Sequence, residues 1–370
     1  MVKQVAIIGG GIIGATAAFY LSYLQGNENV QVTLFDDDHG QATKAASGII
    51  SPWLSKRRNK RWYALAKRGA ELYSDLVKAA QLSDKAYQQT GTIVTRKNHE
   101  DLLSLYHDAQ IKQQQTPAMG HVELLDADAV QKKMPLLTNP PEGIFVSGGA
   151  RIDGADFVKE LLEHAEANNV QVKHERVSVL PNGDVRSSEG TQTFDHVIVA
   201  TGAWMHETLA PLGLNVKVRP QKGQLIDLTV AMPSKWRNMP VMMPESMSDI
   251  IPFNGGKLVI GATHENDEGF DLTPKPAARN QLFENAKAFI STLSESQITD
   301  MRVGTRAYTG DFAPFFGALP DLSSFLVGGG LGSSGLTTGP IIGYFLAQAV
   351  LGNHSDDWSR YTKPVSSYIG

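Results

Sequence analysis

"VAIIGGGIIGATAAFYL", residues 5–21, decides the fold. The unbroken apolar run "VAII" has the character of a strand buried on both faces, and "IIGATAAFYL" has helical spacing. Between them Gly9, Gly11 and Gly14 fit G-x-G-x-x-G. Gly9 permits a tight turn, Gly11 lets the backbone approach a diphosphate, and Gly14 allows close helix–strand packing. The helix begins with Ile12 and Ile13, and its N-terminus offers N–H donors and the positive end of a dipole. The next strand, "VQVTLF", ends at Asp36, 22 residues beyond Gly14, where an acid accepts hydrogen bonds from ribose hydroxyls. Strand, turn, helix, strand and acid together point to a bound dinucleotide. They do not separate NAD from FAD.

A second glycine cluster, "VGGGLGSSGLTTGP" at 327–340, repeats the order of strand, turn and helix near the other end of the chain. The question it raises is whether both turns serve one molecule. Between them the pattern changes twice. A long amphipathic helix, "RWYALAKRGAELYSDLVKAA", follows the first β/α/β segment. "TGTIVTRK" then reads as an exposed strand and "HEDLLSLYHDAQIKQQQ" as a surface helix. A β/α pattern resumes through "VIVATGAW", and several short strands with one helix occupy about 216–300.

With 370 residues the chain has room for two domains. A net charge of −4 gives no reason to expect nucleic acid as a partner. There is no cysteine, which excludes disulfides, thiolate metal sites, a cysteine nucleophile and any cofactor tethered through sulfur. His121, His264 and the other histidines lack metal spacing, so no metal is expected. Lys3 and the apolar run after it look superficially like a secretory signal, but three glycines interrupt it and a second strand follows. No stretch reaches the ~18 apolar residues of a membrane span. A cytoplasmic address is expected.

Five blocks occur in order: "GGGIIG", "TKAASGIISP", "VIVATGAW", "RVGTRAYTGDFAPFFG" and "GGGLGSSGLTTGP". With them the chain resembles the D-amino-acid oxidase superfamily, in particular glycine oxidase, sarcosine oxidase and bacterial D-amino-acid dehydrogenase. The resemblance covers almost the whole chain. It implies an α/β fold in which a Rossmann-like FAD-binding domain is interleaved with an antiparallel, β-rich α+β substrate domain. On this reading 1–87, 144–215 and 301–370 form the FAD-binding domain, and 88–143 with 216–300 the substrate domain. Members bind extended FAD and oxidise the C–N bond of an amine or amino acid.

The resemblance also implies roles for individual residues. Asp36, with Asp37 beside it, would hold the adenosine ribose, where family members usually have Glu. Thr43, Lys44, Ser47, Gly48 and Ile49 would run along the cofactor toward the flavin. Val177 would touch adenine through its backbone, and Thr201 and Gly202 would pass near the diphosphate. Gly330, Leu331, Gly332, Ser333, Ser334, Gly335, Leu336 and Thr337 would lie against the flavin and ribityl chain. There, backbone N–H groups favour the charge that builds on a ring accepting a hydride. Sarcosine oxidases link their flavin through a thioether; without cysteine, FAD is expected to be held non-covalently.

On the substrate side Arg306 matches the arginine that clamps the substrate carboxylate in glycine oxidase, a task suited to a rigid guanidinium fork. A structural ion pair is the alternative, and it is the expected role of Arg302. The second substrate-side arginine of glycine oxidase is replaced here by Ser333. In "MSDIIPF", Met247 and Asp249 stand where glycine oxidase presents aromatic and histidine groups. Asp249 either attracts a cationic amine or is a turn residue. These departures put glycine itself in doubt as substrate. "KRRNKR", 56–61, reads as a solvated face, with contact to an anionic membrane or to a partner as the alternative. Trp53 and Trp204 read as packing residues or as walls of the flavin pocket. The expected activity is oxidation of an amino acid or amine, with oxygen or a quinone-type molecule accepting the electrons. Oxidation of a 2-hydroxy acid and a non-catalytic flavoprotein are the rivals.

Overall fold

The computed structural model describes residues 2–24, 29–353 and 357–370. Its six-stranded sheet runs in the order Phe315–Leu319, Leu322–Gly329, His196–Val199, Lys3–Ile8, Val30–Phe35, Gln171–Lys173. All neighbours are parallel except the first pair. Alternation along Lys3–Ile8 sorts its side chains. Val5 and Ile7 join Phe19, Phe157 and Ile342 of helices Ile12–Leu24, Gly154–Ala167 and Gly335–Val350. Ala6 and Ile8 join Val179, Val185 and Met205 on the other face. Burial on both sides explains the continuous apolar run. Each large aliphatic side chain placed there contributes roughly 1.5–3 kcal/mol by leaving water.

The eight-stranded sheet has the order Ile298–Thr309, Val218–Thr229, Lys257–Gly261, Asp249–Pro252, Val241–Met243, Thr92–Val94, Gly143–Val146, Val122–Leu125. It is antiparallel except where Val241–Met243 meets Thr92–Val94. Ile226, Ile250 and Ile260 turn to one face, under Leu282 and Phe283 of helix Pro276–Lys287. Leu225, Ile251 and Val259 turn to the other. With a period of two, Gly223, Asp249, Gly304 and Arg306 share that second face.

Two expectations need correction. "TGTIVTRK" is not an exposed strand: Thr92–Val94 is buried between two strands of the sheet. The divisions at 143/144 and 300/301 fall inside Gly143–Val146 and Ile298–Thr309, both of which pair with the eight-stranded sheet. Apolar runs reveal strands, but they do not say which sheet a strand joins.

Candidate active site

Because the strands are parallel, Ile8, Val199 and Gly329 end at the same edge of the six-stranded sheet. Each strand is followed by chain named from the sequence: Gly9, Thr201 and Gly330. The rule for open parallel sheets places ligands outside such carboxyl ends. A cavity of about 580 Å³ lies there, walled on its far side by the eight-stranded sheet. Gly11 and Gly332, from opposite ends of the chain, line the same cavity.

At the first turn the Gly10 N–H donates to Asp36 Oδ1 (2.9 Å), and the Ile12 N–H donates to Thr43 Oγ1 (3.0 Å). Among the described residues the Gly11 and Ile13 amides find no acceptor, so this helix end keeps donors for a ligand. Gly14 does not reach the cavity. A Cβ on it would collide with the Gly9 carbonyl, which is the packing role its place in the motif implies. Burial pushes the Asp36 carboxyl above its usual range, against the lowering effect of bonds from Gly10 and Asp38. Burial would also raise the carboxyl of Asp37, but its 2.7 Å bond from Arg176 Nε, the bond from the His39 N–H and the charge of Arg176 together outweigh that and lower it.

Every residue named from the sequence for the cofactor lines the cavity except Gly14 and Lys44. Lys44 is a correction. Its ammonium pairs with Asp38, and only its carbonyl turns inward, accepting from Arg302 Nη1 at 3.4 Å. Thr43, Ser47, Gly48 and Ile49 of the same loop line the cavity, but the long Lys44 cation follows the nearest carboxylate to solvent. Trp204 lines the cavity, whereas Trp53 is buried outside its wall.

Arg306, Asp249 and Ser333 meet in the cavity. Arg306 Nη1 donates to Gln221 Oε1 (3.1 Å) and to the Thr263 carbonyl (2.8 Å), so neutral acceptors hold the guanidinium. Gly223 makes room for it, since a Cβ there would sit 2.6 Å from Arg306 Cζ. Burial lowers its pKa, while Tyr308 and Glu265 act the other way; an arginine stays charged throughout. Arg302 is the structural partner expected, reaching Asp227 Oδ1 from Nη2 at 2.8 Å and from Nε at 2.9 Å. Asp249 is half-buried, makes no hydrogen bond or ion pair among the described residues, and is pushed by burial up to about 7. Met247 is exposed and lies outside the cavity wall.

Two cavity residues, His264 and Arg57, and one behind the wall, Tyr308, have no site role in the sequence reading. His264 is held down to about 4, first by burial and then by the charges of Arg306 and Arg57, so it is neutral at pH 7. Tyr308 is buried behind the wall, and its hydroxyl accepts from the Ser333 N–H at 3.1 Å. Arg57 is the largest omission. It comes from the basic run read as a solvated face, yet its Nη2 donates to Ser333 Oγ at 2.8 Å and its guanidinium lies 4.7 Å from the Trp62 ring centroid. Asn59 caps helix Lys60–Ala79 by accepting from the Trp62 N–H (3.0 Å), and the chain entering that cap carries Arg57 inward. The Asn before a helical pattern was the available signal.

A model of the DAO family, FAD dependent oxidoreductase, matches residues 4–349. The chain belongs to this family. It is 37% identical to the uncharacterized oxidoreductase YurR of Bacillus subtilis (strain 168), over 97% of this chain and 98% of that protein. It is 25% identical to the glycine oxidase of Bacillus licheniformis, over 94% of this chain and 92% of that one. Among solved structures it resembles iminodiacetate oxidase (IdaA) from Chelativorans sp. BNC1, with TM-score 0.90, 31% identity, and coverage of 97% and 98%.

The chain is thus an FAD-dependent oxidoreductase, and the cavity suits that cofactor. It runs past amides without acceptors and the half-buried Asp36 carboxylate, and it continues to the second glycine turn. Among the described residues no group of three or more His, Cys, Asp or Glu is placed to hold a metal. Nor is any helix among them long and apolar enough to cross a membrane.

Proposed function

We propose that this oxidoreductase oxidises the C–N bond of an amino acid or related amine, with Arg306 binding the substrate carboxylate. The observation that carries the reading is a half-buried guanidinium in the cavity wall whose acceptors are all neutral. Such a charge is costly to bury unless an anion completes it. The named activities of the relatives, on glycine and on iminodiacetate, fit an amine that carries a carboxylate.

In this reading the Gly11 and Ile13 amides would hold the FAD diphosphate and Asp36 the ribose. Gly330 to Thr337 would lie along the flavin. Bound FAD would supply a two-electron oxidant for the Cα–N bond, and water would hydrolyse the resulting imine to an oxo acid. The chain's own groups orient and deprotonate. Arg306 fixes the carboxylate as a fork fixes a planar anion. Asp249, its carboxyl at about 7, takes the ammonium proton onto Oδ so that the nitrogen lone pair is free. His264, being neutral, adds no charge to repel the amine. Oxygen or a quinone-type molecule takes the electrons away.

The test is anaerobic mixing of the purified holoenzyme with amino acids, N-methyl amino acids and 2-hydroxy acids, followed at about 450 nm, where oxidised flavins absorb. Bleaching by carboxylate-bearing amines supports the reading. Bleaching by hydroxy acids alone, or by nothing, overturns it.

A further inference from the structure

The cavity holds a second guanidinium that the function above does not use. Arg57 Nη2 donates to Ser333 Oγ (2.8 Å) and Nη1 to Ser334 Oγ (3.5 Å). Like Arg306, it makes no ion pair among the described residues, and its hydrogen-bond acceptors are all neutral. Both cations line the same cavity as His264, whose imidazole is held down by burial and then by their charges. They are nevertheless anchored separately. Arg306 stands on strand Ile298–Thr309 and is held by Gln221 and Thr263. Arg57 stands on the segment entering helix Lys60–Ala79, flanked by Trp62 and the serines of the second glycine turn. The nearby carboxylate Glu265 is already engaged, accepting from Gln224 Nε2 and Thr263 Oγ1 at 2.6 Å each.

The cavity wall here therefore presents two fixed positive charges and one titratable carboxylate, Asp249, while Glu265 acts on Arg306 from outside the wall. A monocarboxylic amino acid offers one negative charge and one amine and leaves a cation unmatched. An amine with two carboxylates matches the set group for group. We propose that Arg57 is a second carboxylate clamp and that the substrate is an amine bearing two carboxylates. The proposal rests on the C–N oxidation reading and names its substrate class. The second carboxylate is carried either on the nitrogen, as in an N-carboxymethyl amine, or on the side chain, as in an acidic amino acid. In both cases the reaction is the same: Cα loses hydride to FAD, nitrogen loses a proton, C=N forms, and water releases an oxo acid and an amine or ammonia.

The experiment measures kcat/KM of the holoenzyme for iminodiacetate and for each enantiomer of aspartate against sarcosine and glycine. It is repeated with Arg57→Gln and Arg57→Lys. A dicarboxylate is expected to exceed sarcosine by about 100-fold, the scale of one charge-assisted contact. Arg57→Gln should remove that advantage mainly through KM, and Arg57→Lys should restore part of it. Preference for iminodiacetate places the second carboxylate on nitrogen, and preference for an aspartate places it on carbon. Equal use of sarcosine and the dicarboxylates, or an equal loss for both classes in Arg57→Gln, overturns the proposal while leaving C–N oxidation standing. Failure of every amine to reduce the flavin overturns the underlying reading instead.

Discussion

Arg57 Nη2 donates to Ser333 Oγ across 2.8 Å, joining the entry of one helix to a glycine turn 276 residues later. Two features that look unrelated in the chain, a basic run and a serine in a glycine loop, thereby become one wall of the cavity. Arg306 stands in the same wall from a third place in the sequence.

Arg306→Ala is expected to lower kcat/KM for carboxylate-bearing amines by about 100-fold or more, the worth of a desolvated charge-assisted pair. Affinity for FAD should change less than about threefold, well under 1 kcal/mol. Parallel steady-state kinetics and flavin titrations check this. Equal losses of substrate and cofactor binding would make Arg306 a structural residue.

The strands and glycine turns were legible because their causes are local. Burial on both faces writes unbroken apolar runs, and Gly14 is needed wherever a helix packs this closely on a strand. Arg306 was legible through its motif. Arg57 was not, since five cations in six positions look solvated until the Asn59 cap directs one of them inward. The raised carboxyl of Asp249 was equally hidden: burial creates it, and burial depends on strands brought together from distant parts of the chain. The sheet membership of Gly143–Val146 and Ile298–Thr309 was invisible for the same reason.

Asp249 should impose a pH dependence. Below about 7 its carboxyl is protonated and cannot take the ammonium proton, so kcat/KM should rise as pH increases through that value. Asp249→Asn should be at least about tenfold slower at pH 8 and lack this limb. A pH–rate profile that retains the limb in the variant would assign it elsewhere.

The same group affects stability with a definite sign. Its folded pKa, about 7, lies above its ordinary 3.8, so folding favours the protonated form. Stability of the cofactor-free protein is full below about pH 4 for this group and is lost as pH rises toward 7. Asp249→Asn should therefore gain about 1–3 kcal/mol on wild type between pH 4 and pH 8. Urea melts of both proteins at the two pH values measure it, and a constant difference would remove the claim.

Gly14→Val is expected to abolish FAD retention. A Cβ there meets the Gly9 carbonyl, and separating helix from strand pulls the Gly11 and Ile13 amides out of register. Flavin content after purification, read beside circular dichroism to confirm folding, is the check. A folded, fully yellow variant would contradict it.

Without cysteine, FAD should leave the polypeptide on acid precipitation. Yellow supernatant over a colourless pellet is the expected result, and flavin retained in the pellet would show a covalent link through another side chain.

The most direct measurement is a crystal structure of the protein with FAD bound. The expected result is one extended molecule, its diphosphate against the Gly11 and Ile13 amides and its ring against Gly330 to Ser333, facing Arg306. A flavin touching only one of the two glycine turns, or bound outside the cavity they share, would contradict the account.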